Sequence, residues 1–228
     1  MFHNSKKIVA GLTLVVGLSA FAVTSSQAAE VDCMAPPPSD QDLTLIAAYA
    51  ASPPAVDEVA FSMEVENIMY NTYGGDLMQY VTVWYPEYKT CGAGTNLEGE
   101  KQVTGRWAES WASSENGTVW QFKLRKGIKS HVGNEMTCED HRWSWERGFE
   151  MKSVKYFFTK GMGIEKHEDV SCPDPYTVQF KIKAANPLFL QMLAMNYYGG
   201  TFDSAEALKH ATTDDPWAKE WLKNNTAG

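Results

Sequence analysis

Two stretches of the chain alternate strictly between apolar and polar side chains. Trp120, Phe122 and Leu124 alternate with Gln121 and Lys123, and Tyr176, Val178, Phe180 and Ile182 alternate with Thr177, Gln179 and Lys181. A period of two puts every second side chain on one face, so each run predicts a half-buried strand. Asn116-Gly117 precedes the first run and predicts a hairpin turn, since both residues accept positive φ. Between the strands the period changes. Thr137 is placed to cap a helix, with Cys138-Glu139 in its first turn and Asp140 at the third position. Trp145 and Phe149, four apart, share one face of that helix.

The flanks read as shorter pieces. Leu43 to Ala48 is a brief apolar run stopped by Ser52-Pro53-Pro54, which predicts a buried strand. Val59 to Tyr73 carries Met63, Ile68, Met69 and Tyr70 at helical spacing, closed by Gly74-Gly75. Downstream, Asn186-Pro187 precedes a helix over 188–193, and Asp203 with Glu206 opens another over 204–210. Asp215-Pro216 opens a third, ending at Leu222, in which Trp217 and Trp221 would staple the helix to the core. Trp111, Trp120 and Trp145 read as core residues from their phase. The pattern as a whole is mixed α/β.

The first 28 residues stand apart. Lys6 and Lys7 precede an apolar stretch from Ile8 to Val23, and Ser26-Gln27-Ala28 suits a signal-peptidase site. Sixteen residues are too few for a membrane span, which needs about 20. Residues 1–28 are therefore expected to be a cleaved signal peptide, and the mature protein to be periplasmic. Glu30-Val31-Asp32 before Cys33 is too acidic for a lipid-anchor signal. All four cysteines, Cys33, Cys91, Cys138 and Cys172, follow the signal, and an oxidising compartment favours two disulfides with three connectivities open. Cys138 and Cys172 flank one strand–helix unit and are expected to pair.

Charge narrows the function. The 228 residues carry 20 basic and 28 acidic side chains, and signal removal takes the net charge from −8 to −10. Nucleic-acid binding and a polybasic membrane face are disfavoured, because both need clustered Lys and Arg. A hydrophobic share of 44% supports a folded chain over a disordered one. Eight tryptophans indicate a large core, a stacking cleft, or both. Cys138, His141, His167 and Cys172 could hold zinc, but a disulfide between the two sulfurs is the stronger reading. Neither a G-x-S-x-G elbow nor an H-E-x-x-H pair is present, so no enzyme is expected, and no cofactor.

Residues 107–147 resemble the signature of the family 5 extracellular solute-binding proteins, the peptide- and nickel-type receptors of ABC importers. Ala108-Glu109-Ser110-Trp111, Leu124-Arg125-Lys126-Gly127-Ile128-Lys129, His131, Gly133, Thr137, Glu139, Asp140, Glu146 and Arg147 carry the match. Tyr176-Thr177-Val178 and the stretch from Asp214 to Gly228 extend it. Ser130 stands where the family has an aromatic and Val132 where it has Asp. Val56-Asp57-Glu58 is a poor version of the family's L-D-P element, and 81–99 is longer than its usual connection.

The resemblance implies an α/β chain forming the N-terminal portion of a two-lobed type II periplasmic-binding-protein fold, a mixed sheet with flanking helices. Residues 29–228 would be the N-terminal part of lobe I, including an accessory subdomain at about 56–185, in a longer receptor whose second lobe lies beyond this chain. It further implies a monomeric receptor that captures a peptide or similar small polar solute by hinge closure and delivers it to a cognate permease of the inner membrane. In the family, the loop after the first strand faces the cleft, which makes Ser52, Phe61 and Ser62 ligand-binding candidates. Asn196 and Tyr197, with Tyr198, form a second polar–aromatic loop ahead of Gly199-Gly200. The alternative is a secreted, aromatic-rich carbohydrate-binding module.

Overall fold

A computed structural model describes Cys33 and residues 76–85, 90–93, 97, 99–195 and 200–228. The chain divides into two units, Met1–Val31 and Asp32–Gly228, and every described residue belongs to the second. The strand expected over 43–48 and the helix over 59–73 lie outside the described residues.

Strand β1 (Met78–Tyr80) pairs antiparallel with β4 (Val103–Gly105), in the register Met78↔Gly105 and Tyr80↔Val103. The long connection between them is itself a hairpin, β2 (Thr82–Tyr85) with β3 (Thr90–Ala93). Its Cys91 is bonded to Cys33. The extra length therefore encloses a two-stranded element tied covalently to the start of the unit. After β4 the backbone turns so tightly that a Cβ on residue 105 would overlap the Ala108 carbonyl oxygen, which is why glycine stands there.

Strands β5 (Ala108–Ser114), β6 (Val119–Leu124), β7 (Val170–Asp174) and β8 (Thr177–Lys181) form an antiparallel sheet in the order β5-β6-β8-β7. The alternation read from sequence places Trp120, Phe122 and Leu124 inside and Gln121 and Lys123 outside. Phe122 opposes Val178 and Trp120 opposes Phe180 across the β6–β8 pair, so large side chains interlock on the inner face. On the outer face, Gln121 Nε2 donates to Gln179 Oε1 at 2.8 Å. The β5–β6 turn is longer than the two-residue hairpin that Asn-Gly suggests. Ser114 opposes Val119, and Glu115, Asn116 and Gly117 take φ of 51°, 56° and 82° in succession. Glu115 is drawn into the left-handed region to let the chain reverse, a conformation Asn and Gly hold with less strain.

Helix α1 (Cys138–Glu150) begins as the sequence predicts. Thr137 and Asp140 form a reciprocal capping box, in which the Thr137 N–H donates to Asp140 Oδ2 at 2.7 Å. A second helix, α2 (Val154–Met162), follows and ends at Gly163 with φ of 89°. Neither α2 nor β7 was expected. The run Tyr156-Phe157-Phe158 has no clean period, and Pro173 masks the strand character of a five-residue segment.

The tail carries α3 (Phe189–Leu193), α4 (Ser204–Leu208) and α5 (Lys219–Leu222). The last begins later than the Asp-Pro signal implies, because the Asp215 carboxylate accepts the N–H groups of Lys219 and Glu220, both at 2.9 Å. Trp217 thus precedes the helix and packs on Trp143 at 5.8 Å, while Trp221 stacks on His210 at 3.9 Å. Both rings pack against the tail core as expected, Trp221 from within the helix and Trp217 from the turn before it.

Two apolar cores share α1. Cys138, Trp145 and Phe149 join Phe122, Val178, Phe180 and Phe189 beneath the sheet. Trp143, from the opposite face, joins Phe202, Ala207, Ala218, Leu222 and Ala227 of the tail. The disulfide Cys138–Cys172 pins the first turn of α1 to β7, with a Cα separation of 5.8 Å, as the pairing argument expects. Among the described residues no helix is long and apolar enough to cross a membrane.

Helices α1 and α2 meet at Gly148. A Cβ there would stand 3.0 Å from Lys155 Cδ and 3.2 Å from Ser153 Oγ. Lys155 is only 1% exposed and its Nζ donates to the Ser144 carbonyl at 3.2 Å, so the side chain has no room to withdraw. Alanine would gain about 1 kcal/mol in helix propensity and lose roughly 1–3 to overpacking. Gly148→Ala is expected to lower stability by about 1 kcal/mol in urea unfolding. An increase would show that α2 moves freely against α1.

Candidate functional site

Ser52, Phe61, Ser62, Asn196 and Tyr197 all lie outside the described residues. What is described is the framework on which the second of these loops ends. The chain re-enters at Gly200, and three of the next four residues, Thr201, Phe202 and Ser204, are fastened to α1. Thr201 Oγ1 and His141 Nδ1 are 2.7 Å apart. The Phe202 N–H donates to Ser144 Oγ at 2.8 Å, and that hydroxyl donates to the Asp140 carbonyl at 2.7 Å. Ser204 gives both its N–H, at 2.8 Å, and its hydroxyl, at 2.7 Å, to Asp140 Oδ1. Asp140, His141 and Ser144 lie within about one helical turn, so one face of α1 grips the whole segment.

Asp203 completes the clamp from the other side. Its Oδ2 accepts from Ser130 Oγ at 2.7 Å and Asn134 Nδ2 at 2.9 Å, and its Oδ1 caps α4 through the Glu206 N–H at 2.9 Å. Its own N–H donates to the Ala227 carbonyl. Ser130, which replaces a family aromatic, is therefore a buried hydrogen-bond partner. His131 reaches the Gly228 carbonyl through its N–H at 3.0 Å and Nδ1 at 2.9 Å. The sequence signals for two caps, Thr137/Asp140 and Asp203/Glu206, were present. That each capping carboxylate also spends an oxygen on a distant segment had no local signal.

Asp76, just before β1, carries a largely buried carboxyl, 12% exposed. Asp76 sits 3.6 Å from the Arg106 guanidinium. Burial pushes its carboxyl up to about 7, against the pull of Arg106 and Lys155. Burial, and then the Lys155 charge, holds the His141 imidazole down at about 3. Trp107 covers the imidazole edge-on, with ring centroids 5.1 Å apart. Arg147, wholly buried, donates from Nε to the Trp217 carbonyl at 3.0 Å and lies over the Phe202 ring.

The arrangement holds and orients; it does not present a nucleophile. Cys138 and Cys172 are bonded to each other, and His141 faces Thr201, which takes three members from the zinc quartet. Among the described residues no group of three or more His, Cys, Asp or Glu side chains could hold a metal. Among the residues whose burial is described, the tryptophans form no exposed platform. Trp120, Trp143 and Trp145 are buried, and Trp107, Trp111, Trp217 and Trp221 are half-buried against the two cores.

Comparison with known proteins supplies the family. The profile described as bacterial extracellular solute-binding proteins, family 5 Middle, matches residues 102–228. The "probable D,D-dipeptide-binding periplasmic protein DdpA" of Escherichia coli is 31% identical over 153 residues, covering 64% of this chain and 27% of its own. The dipeptide-binding protein of Escherichia coli is 31% identical over 113 residues, covering 43% of this chain and 21% of its own. Among solved structures, Haemophilus influenzae OppA in complex with RPPGFSPFR superposes with a TM-score of 0.56 at 17% identity, over 78% of this chain and 33% of that one. The chain thus spans about a fifth to a third of the length of these relatives. The shared fold is that of part of a type II periplasmic binding protein, and the family consists of binding proteins, not enzymes. With more than half of its length matched on the fold just described, the chain belongs to the bacterial extracellular solute-binding proteins, family 5.

Proposed function

We propose that this chain is part of an exported receptor of an ABC importer that captures a peptide or similar small polar solute. The observation that carries the reading is the family match across 102–228, which takes in the hairpin, the capped helix and the clamped tail. Relatives named for dipeptide binding add the ligand class. In this reading residues 29–228 belong to lobe I, with the accessory subdomain at about 56–185. The receptor is a monomer and does not bind nucleic acid. Ligand capture closes two lobes around a hinge, and the closed state is recognised by the cognate permease. Ser52, Phe61, Ser62, Asn196 and Tyr197 contribute the lobe I side of the cleft. The clamp at 200–204 supports that role by giving the second loop a rigid end.

The test is calorimetry of the full-length secreted product with dipeptides, tripeptides and short oligopeptides, and with oligosaccharides in parallel. Saturable one-to-one peptide binding is expected. Silence toward every peptide together with oligosaccharide binding would replace the receptor by a carbohydrate-binding protein. The same material should begin at Ala29, because the Ser26-Gln27-Ala28 site follows the apolar run. Intact-mass analysis reads this directly, and a mature chain retaining Lys6 and Lys7 in the membrane fraction would contradict the export signal.

A further inference from the structure

The turn between β5 and β6 carries an asparagine followed by a glycine, Asn116-Gly117. Asparagine is thermolabile in proteins, and most so before glycine, whose nitrogen no side chain shields. Asn116 is exposed to solvent. In an unconstrained chain the Gly117 nitrogen gives up its proton and attacks Asn116 Cγ. The Cγ–Nδ2 bond breaks, ammonia leaves, and a five-membered succinimide closes. Water then opens the ring. Opening at Cγ yields aspartate; opening at the Asn116 carbonyl carbon yields isoaspartate, in which the main chain runs through Cβ and Cγ. The sum is asparagine plus water giving the acid plus ammonia, with nothing oxidised or reduced.

The folded turn does not allow that attack. Asn116 has φ of 56° and ψ of 36°, between Glu115 and Gly117 at φ of 51° and 82°. At this ψ the Gly117 nitrogen stands nearly opposite Cβ across the Cα–C bond, so no side-chain rotamer brings Cγ beneath it. Ring closure needs the peptide between the two residues to turn over by almost half a revolution. Both sides of that peptide are held. The Trp120 indole N–H donates to the Gly117 carbonyl at 3.1 Å. The Thr118 N–H and hydroxyl donate to the Glu115 carbonyl at 3.3 and 2.8 Å. These anchors are themselves fixed: Trp120 is buried against Phe189, with ring centroids 5.4 Å apart, and the Thr118 carbonyl accepts the Ile182 N–H at 2.8 Å.

We propose that Asn116 is a latent deamidation site: the anchored β5–β6 turn keeps it unreactive in the folded chain, and it converts when the turn opens. The inference is independent of the ligand. Its two products differ in consequence. Aspartate sets a second carboxylate beside Glu115 but keeps the backbone, and Asp tolerates the left-handed region. Isoaspartate adds one atom to the main chain inside a turn whose closure pairs Ser114 with Val119, and it draws the Gly117 carbonyl away from the Trp120 indole. The reaction therefore marks chains in which this hairpin has been open, and its isoaspartate product hinders the hairpin from closing again.

The test follows amide-to-acid conversion at Asn116 by peptide mass mapping. The secreted protein is held in mildly alkaline buffer, natively and in concentrated urea, beside a synthetic peptide of residues 112–121. The native chain should convert about tenfold or more slowly than the peptide, because a hairpin within a sheet is open only a small fraction of the time. The urea-unfolded chain should match the peptide. Thr118→Val removes one anchor while keeping the side chain's shape, and should speed conversion of the folded protein severalfold with no change in urea. A native chain that converts as fast as the peptide overturns the proposal. So does an unfolded chain that fails to convert, or a folded Thr118→Val protein that converts at the parental rate. If Thr118→Val does not fold, the native and urea rates of the parent decide the matter by themselves.

Discussion

Asp140→Ala should cost about 4 kcal/mol of stability, by the general cost of stranding several buried donors of one charged acceptor. The carboxylate accepts four hydrogen bonds: the N–H and hydroxyl of Thr137 at 2.7 and 3.1 Å, and the N–H and hydroxyl of Ser204 at 2.8 and 2.7 Å. The first two close the N-terminus of α1; the second two fix the start of α4, 64 residues away. Asp140 is 5% exposed, so water reaches the stranded donors poorly. Asp140→Asn keeps one carbonyl oxygen and should cost roughly 1–3 kcal/mol, the value of hydrogen bonds to a charged group. In thermal unfolding of a domain this size, about 4 kcal/mol corresponds to a Tm lower by roughly 8–16 °C. Near-parental stability of the alanine variant would mean that α4 and the tail do not depend on α1, and the clamp would lose its central member.

Replacing Cys138 and Cys172 together by serine should cost about 3–4 kcal/mol. The bridge closes a loop of sequence separation 34, for which loop-closure entropy gives nearly that figure. A buried hydroxyl at position 138 adds to the loss, since Cys138 has no exposure. The Cys33–Cys91 bridge has a separation of 58, so entropy alone would rank it slightly higher. Access reverses their order of reduction: Cys91 is exposed, and a thiol can attack there first. Graded dithiothreitol followed by alkylation and peptide mass mapping should label Cys33 and Cys91 at reductant levels that leave Cys138 and Cys172 protected. Urea unfolding of the serine variant supplies the energy. Simultaneous labelling of all four cysteines, or a loss below about 1 kcal/mol, would show that α1 and β7 are held together by packing alone.

What the sequence determined by itself was whatever depends on neighbours a few positions apart. Alternation in 120–124 and 176–182 named two strands and their inner faces, and the four-strand sheet obeys both. The caps at Thr137 and Asp203 are contacts across three residues and were readable for that reason. The family signature also lay in one contiguous run, 107–147, and the profile match begins just upstream of it. Short elements without a clean period escaped. β7 hides behind Pro173, α2 behind adjacent aromatics, and α5 starts where Asp215 reaches forward to two N–H groups instead of where proline allows. The ligand candidates rest on the family resemblance and lie outside the described residues. Tertiary structure alone decided that α1 would be buried on both faces, that Asp140 would serve two helix ends, and that Ser130 would replace an aromatic by bonding Asp203. It also decided that Lys155 would be buried with its ammonium on the Ser144 carbonyl. Each of these joins residues too far apart for spacing to carry information, and only the packed fold sets distance, burial and therefore charge.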